Sequence, residues 1–77
     1  MFKLLDTVVL NRDVPELGLR TGDLGAIVEV HEPDHFEVEF VAASGRTKAI
    51  VTLSSADLRH VSDQDLVAVR SLQHAVG

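Results

Sequence analysis

The chain has 77 residues and a formal net charge of −5, from 12 acidic and 7 basic side chains. At this length we expect one small domain, with little room for an enclosed active site beside its own scaffold. Because phosphate backbones are bound through lysine and arginine, the acidic balance argues against nucleic acid as a partner. Cysteine is absent, which excludes disulfides and cysteine-ligated metals. We therefore expect a non-enzymatic protein that carries no cofactor.

The N-terminal segment, residues 1–10 (MFKLLDTVVL), is predicted to contain the first strand, over residues 6–10. It does not resemble a signal peptide, because Asp6 interrupts the apolar run and no small-residue cleavage site follows. No apolar run of the chain approaches membrane-spanning length. We expect no membrane partner and a cytoplasmic location. Residues 11–25 then form a long loop that is punctuated by proline and glycine at Pro15, Gly18, Gly22 and Gly25.

Residues 31–35 read HEPDH, which fits the H-E-x-x-H pattern of zinc peptidases. That pattern requires a helix, so that both histidines reach one zinc ion. The flanking residues 26–30 (AIVEV) and 36–40 (FEVEF) are instead typical of strands, because apolar and polar residues alternate in the second of them. Pro33 also lacks the N–H that a helix interior uses. The motif therefore predicts a hairpin turn and no metal site. The rejected alternative is zinc held by His31, His35, Glu32 and a distant His60 or His74.

Apolar pairing across the hairpin predicts its register. Val30 opposite Val38 and Val28 opposite Phe40 keep apolar side chains together on one face of the sheet. This register leaves residues 33–35 as a three-residue loop that begins as a type I turn. The last loop residue is expected in the left-handed conformation that closes such hairpins with a bulge.

Three further elements are predicted between the hairpin and residue 61. A strand is expected over residues 47–53 (TKAIVTL), a tight helical turn over residues 54–57 and a short closing strand over residues 58–61. Five short strands with a long first loop and a tight middle hairpin indicate a mainly β fold. We predict a small five-stranded SH3-like barrel over residues 1–61, since barrel closure protects sheet edges.

The pattern changes in residues 62–77, which we treat as a C-terminal helical tail. Ser62 and Asp65 resemble a helix capping box. The apolar residues that follow recur at helical spacing: Leu66, Val69, Leu72 and Val76, before Gly77. We predict a helix within residues 62–75 whose apolar face is buried. Packing of this face on the chain's own barrel gives a monomer, and packing on a second copy gives a homodimer.

Residues 22–30 (GDLGAIVEV) resemble the KOW motif, in which two glycines open a strand of an SH3-like barrel. Such modules occur in ribosomal proteins and transcription factors and usually have basic surfaces. The resemblance implies an alternative function as a KOW-type nucleic-acid or ribosome-associated module. The cations available for that function are Arg12, Arg20, Arg46 and Lys48.

Residues 4–61 also resemble a bacterial family of short proteins catalogued as a domain of unknown function. The motifs that carry the resemblance are DTVVL (6–10), DVPELGL (13–19), GDLG (22–25), FEVEF (36–40) and IVTL (50–53). The resemblance implies an SH3-like barrel. Because some members are encoded beside toxin-like proteins, it also implies an antitoxin or immunity role. The chain departs from the family at Leu17, where an aromatic residue or histidine is frequent, and in the tail after Val61.

The acidic residues of the hairpin are the candidate functional site. Glu29, Glu37 and Glu39 face outward in the predicted register, with Glu29 directly opposite Glu39. Like charges in that position destabilise a sheet, unless Lys48, diagonal to Glu39, relieves the repulsion. We predict that these glutamates form a docking surface for a basic protein. Cations interleaved with carboxylates would favour this function, and clustered cations would favour the KOW-type alternative.

Overall fold

The computed structural model describes residues 1–72 of the chain. Its strands are β1 (Thr7–Leu10), β2 (Leu24–His31), β3 (His35–Val41), β4 (Thr47–Ser54) and β5 (Leu58–His60). Two single 3-10 turns, Pro15–Leu17 and Ser55–Asp57, complete the elements. Within residues 1–72 there is no α-helix, and hence no helix of the length and hydropathy that a membrane crossing requires.

The five strands form one antiparallel sheet in the order β4-β3-β2-β1-β5. Within the described residues β4 pairs with β3 alone and β5 pairs with β1 alone, so the sheet is open and has two edges. The prediction of a mainly β fold is confirmed, but the predicted SH3-like barrel is wrong. Closure would require β5 to pair with β4 through its second edge, and these two strands do not pair within residues 1–72.

The hydrophobic core lies on one face of the sheet, beneath the long loop between β1 and β2. Its buried members are Val8, Leu10, Val14, Leu19, Ile27, Phe36, Val38, Phe40, Leu53 and Leu58. The loop contributes Val14 and Leu19, whose backbones form an isolated antiparallel bridge. Gly18, with φ of +72°, ends the first 3-10 turn and returns the chain to this bridge. The predicted loop therefore acts as a lid on the core.

Gly25 lies inside β2, although the sequence pattern assigned it to a turn. A Cβ atom at this position would stand 2.6 Å from Val38 Cγ1 and 3.0 Å from Phe40 Cε1. Carbon atoms that are not bonded to each other repel strongly at such separations. Gly25 is therefore the residue that allows β2 to pass close beneath two core side chains of β3.

The structure confirms the hairpin at HEPDH but not its predicted register. His31 pairs with His35, Val30 with Phe36 and Ile27 with Val38. The register shifts between Ile27 and Glu29, so that Val28 is the extra residue of a β-bulge. The prediction assumed unbroken alternation along β2, and the bulge breaks it.

The hairpin loop consists of residues 32–34 rather than 33–35, and the Glu32–Pro33 peptide bond is cis. His35 belongs to β3 and does not adopt the predicted left-handed conformation. Among the described residues other than glycine, only Leu5 has a positive φ, of 70°. The prediction of a type I turn that is closed by His35 in the left-handed conformation is therefore wrong.

The predicted C-terminal helix is also absent from the described part of the tail. The capping contacts do form: the Asp65 carboxylate accepts the Ser62 amide at 2.7 Å, and Ser62 Oγ accepts the Gln64 amide at 3.2 Å. They close one turn, after which the chain continues without helix. Leu66 and Val69 are 95% and 97% exposed, so the predicted buried face is wrong. The remainder of that prediction, with His74, Ala75, Val76 and Gly77, lies outside the described residues.

Two arginine–carboxylate pairs anchor the described part of the tail at Asp65 and Arg70. Arg59 binds Asp65 through two hydrogen bonds of 2.9 and 3.0 Å. Arg70 binds Asp23 through two more, of 2.9 and 2.6 Å. Between these anchors Leu66 and Val69 are exposed and do not pack on the hydrophobic core. A helix this short is marginal without such packing.

Candidate docking face

The three predicted site residues lie together on the outward face of the sheet, opposite the core. Glu29 of β2 pairs directly with Glu37 of β3, and Glu39 follows two residues later on β3. The predicted opposition of Glu29 and Glu39 is therefore wrong, because the bulge moves Glu39 opposite Ala26. Like charges nevertheless meet across β2 and β3, in the pair Glu29 and Glu37. We call Glu29, Glu37 and Glu39 the acidic face.

Hydrogen bonds draw two of these carboxylates toward β4. Glu37 accepts the Thr52 hydroxyl at 2.6 Å, and Glu39 accepts the Thr47 hydroxyl at 2.5 Å. A hydroxyl donor orients a carboxylate but leaves its charge in place. The acidic face is thus ordered by neutral neighbours and keeps its negative potential.

His31 and Glu29 are the other polar groups beside Glu37. His31 Nε2 lies 3.1 Å from Glu37 Oε2, a contact that becomes an ion pair when the imidazole is protonated. The Glu29 side chain makes no hydrogen bond or ion pair with any of residues 1–72. Glu29 is exposed, whereas Glu37 and Glu39 are half-buried. Two of the three carboxylates are therefore held by hydrogen bonds, and the third is exposed.

Lys48 does not relieve the repulsion as the sequence suggested. It occupies an irregular position in β4, where the register with β3 shifts between Phe40 and Val41. Its side chain ends beside Gly18: if that residue carried a Cβ atom, Lys48 Cε would lie 3.8 Å from it. Within residues 1–72 no ion pair joins Lys48 to Glu39.

Two of the four cations named for the nucleic-acid alternative lie among carboxylates. Arg12 Nε donates to Asp57 at 3.0 Å. The Thr21 amide and hydroxyl lower the pKa of Asp13, and the nearby Arg20 charge lowers it further. Arg46 immediately precedes β4, and Lys48 is its second residue. The cations are spread over several elements of the sheet and loop.

A second charged region, which the sequence analysis missed, holds the tail to the sheet. The Arg70 guanidinium lowers the pKa of Asp23, and it also donates to the Gly18 carbonyl at 2.9 Å. The Arg59 guanidinium, aided by the Ser62 amide, lowers the pKa of Asp65 to about 2. A groove of about 700 Å³ runs between the tail and the sheet. Arg70 and Asp23 stand 47 residues apart, and no local pattern marks such a pair.

The histidines of the rejected zinc alternative have other neighbours. His60 stacks on Phe2 with ring centroids 4.4 Å apart, and its Nε2 lies 3.5 Å from Asp6 Oδ2. His31 and His35 oppose each other as strand residues and do not share a helical face. In the part of the chain that the structure describes, no three metal-ligating side chains cluster with geometry suited to an ion. His74 lies outside that part.

The sheet and its outward carboxylates define a small antiparallel β domain with an acidic surface. The family described as a domain of unknown function (DUF4926) matches residues 4–60. The chain belongs to this family, which confirms the predicted resemblance to a domain of unknown function. The bacterial origin that the resemblance implied stays a prediction. The match ends with β5 and does not include the tail. No curated protein and no solved structure matches the chain.

Proposed function

We propose that the chain is a non-enzymatic protein-binding module whose acidic face receives a basic partner. The observation that carries this proposal is the direct opposition of Glu29 and Glu37, with Glu39 beside them. Among residues 1–72 no lysine or arginine forms an ion pair with any of the three. Like charges opposed in this way cost stability. A partner with complementary charge supplies a reason for the arrangement.

The expected role of the acidic face is to accelerate encounter and fix orientation. Complementary potentials chiefly affect association rate and specificity, and the net charge of −5 adds a long-range attraction for cations. An antitoxin or immunity role, a bacterial origin and a cytoplasmic location are the finer parts of the proposal. They rest on the family resemblance and the composition.

The distribution of cations supports this proposal over the KOW-type alternative. Nucleic acid is bound by lysine and arginine side chains that face the phosphates together. Arg12 is instead engaged by Asp57, and Arg20 lies near Asp13. Binding to an RNA hairpin is the result that would instead favour the nucleic-acid alternative.

The test compares two double variants of equal charge. Glu29→Gln with Glu39→Gln changes the acidic face, and Glu16→Gln with Asp63→Asn changes exposed carboxylates elsewhere. The probes are a hexalysine peptide and an RNA hairpin, with association rates measured at low and high ionic strength. We expect the first variant to slow hexalysine association about threefold at low salt and the control to have a smaller effect.

The salt dependence and the RNA probe decide the outcome. In 1 M salt, where the Debye length is about 3 Å, the difference between wild type and the acidic-face variant should disappear. Equal slowing by both double variants would show that only net charge matters and would contradict the proposed face. Tight, salt-sensitive binding of the wild type to the RNA hairpin would favour the KOW-type function.

A further inference from the structure

The edge strand β4 offers an unprotected row of backbone groups. Within the described residues it pairs with β3 on one side and with no strand on the other. Residues 49–54 (AIVTLS) contain no charged residue and no proline. Edge strands are usually protected by such residues, by a bulge or by short length. The irregularity at Lys48 protects the beginning of β4, and the rest of this edge is open to an added strand.

The two faces of β4 differ in a way that specifies what an added strand would carry. Ala49 and Val51 are half-buried and pack against the core. Ile50 and Thr52 point to the outward face, where Ile50 is 57% exposed. Side chains of a paired strand alternate between these faces. Apolar residues of an added strand would thus extend the core, and the residues between them would meet the acidic face.

Glu37 and Glu39 lie one strand inward from this edge and lean toward it. Their carboxylates accept hydrogen bonds from Thr52 and Thr47, both of which belong to β4. Residues two apart on a strand are separated by about 6.7 Å, which matches alternate residues of an added strand. Lysine and arginine have long apolar stems that lie along a surface and bring the charge to a distant carboxylate.

We propose that the β4 edge receives an extended segment of the basic partner as an additional strand. Alternate positions of this segment carry lysine or arginine directed to Glu37 and Glu39, and the positions between carry apolar residues directed to Ala49 and Val51. Strand addition of this kind draws affinity from backbone hydrogen bonds and specificity from alternate side chains. The inference rests on the proposed function and names the conformation and sequence pattern of the partner.

A second copy of the chain fits this edge less well. Each copy carries a net charge of −5, so two copies repel each other. A second β4 would also present Ile50 and Thr52, not cations, on the outward face. Charge complementarity therefore selects a basic partner.

The experiment uses the full chain and three capped heptapeptides. The first alternates lysine with valine, the second has the same composition with lysines and valines in separate blocks, and the third is the alternating peptide with N-methylated backbone on one edge. The measurements are affinity and hydrogen exchange of the β4 amides. We expect the alternating peptide to protect those β4 amides that point away from β3, at the open edge of the sheet. We also expect it to bind roughly fivefold tighter than the block peptide. N-methylation should remove both effects.

Glutamate variants separate this inference from the proposed function. We expect Glu37→Gln with Glu39→Gln to weaken the alternating peptide roughly fivefold, and Glu29→Gln, two strands from the edge, to weaken it less than about twofold. If these substitutions weaken binding but β4 exchange is unchanged, the strand addition is wrong and the acidic face stands. If the substitutions change the affinity of neither the alternating nor the block peptide, the proposed function is wrong. Self-association of the chain with β4 protection before peptide is added would assign the edge to a second copy.

Discussion

The sheet and the tail are held in place by different interactions. The sheet, residues 7–60, encloses a core of apolar side chains, and no polar side chain among the described residues is buried. The tail, residues 62–72, is attached through Arg59–Asp65 and Arg70–Asp23, while its apolar residues remain exposed. Hydrophobic burial does not depend on carboxylate charge, whereas these partly exposed ion pairs are weakened by acid and screened in part by salt. The two regions should therefore respond to different perturbations.

The largest expected effect is on the sheet. Leu10 is fully buried, so Leu10→Ala should lower the free energy of unfolding by about 3 kcal/mol through lost burial and a residual cavity. Urea unfolding followed by circular dichroism measures this, since the chain contains no tryptophan or tyrosine. The matched control, Leu66→Ala in the tail, should change it by less than about 0.5 kcal/mol. Similar losses for both leucines would contradict the distinction between sheet and tail.

Gly25 tests how closely the sheet is packed. Gly25→Ala should destabilise the fold by about 2 kcal/mol, because the new methyl group would crowd Val38 and Phe40. Val38→Ala removes the atom nearest to it, so the double variant should be more stable than the sum of the two single losses predicts. Additive losses in this double-mutant cycle would show that crowding against Val38 is not the cause.

Arg70 tests the attachment of the tail. Arg70→Gln removes the ion pair with Asp23 and should lower the free energy of unfolding by about 1 kcal/mol or less. The visible change should be in the tail, as faster exchange and altered chemical shifts of Leu66 and Val69, with β1–β5 unchanged. Arg46→Gln, in the turn before β4, is the control with equal charge. Loss of sheet structure in the Arg70 variant would mean that the tail is part of the core.

Acid should detach the tail before it unfolds the sheet. The Arg59 guanidinium lowers the pKa of Asp65 from its ordinary value of 3.8 to about 2, and the Arg70 guanidinium lowers that of Asp23. A lowered folded-state pKa means that the contact stabilises above pH ~4 and is lost as pH falls toward the folded-state value. Chemical shifts of tail residues between pH 5 and 2 measure this. The Asp65→Asn variant should lack the part of the transition near pH 2, and an unchanged transition would exclude Asp65 as its source.

The smallest effect concerns the acidic face. Glu29→Gln removes the repulsion with Glu37 and should raise the free energy of unfolding by up to about 0.5 kcal/mol. Thermal unfolding compares it with Glu16→Gln, which has no opposed carboxylate across a strand pair and should be close to neutral. A loss of stability in the Glu29 variant would reveal a stabilising contact at that carboxylate.

The strands were predictable because their signals are local. Alternation in residues 36–40 fixed β3 and the direction of its side chains, and the predicted strand over residues 47–53 differs from β4 by one residue. The outward placement of Glu37 and Glu39 followed from the same alternation, whereas Glu29 was placed through a β2–β3 register that is wrong. That face's function as a docking site stays a prediction.

The errors arose where distant residues compete with local pattern. Ser62 and Asp65 form the capping contacts of a helix start, and the Asp65 carboxylate also binds Arg59, but the chain continues without helix. Barrel closure depended on where β5 finds its partner, which strand propensity does not encode. The register failed at Val28, because a bulge has no reliable signature in a single alternating strand.

Because Val28 is the extra residue of a bulge, β2 could be one residue shorter without a change in its pairing with β3. If Val28 were deleted, Ile27 would precede Glu29 directly, and regular alternation would still place Ile27 and Val30 on the core face opposite Val38 and Phe36. Every cross-strand pair of the hairpin would survive the loss of one residue. Sequence alignment usually penalises gaps inside strands, yet a one-residue gap at Val28 would leave the strand pairing unchanged. Length variants at this position are therefore compatible with the same acidic surface.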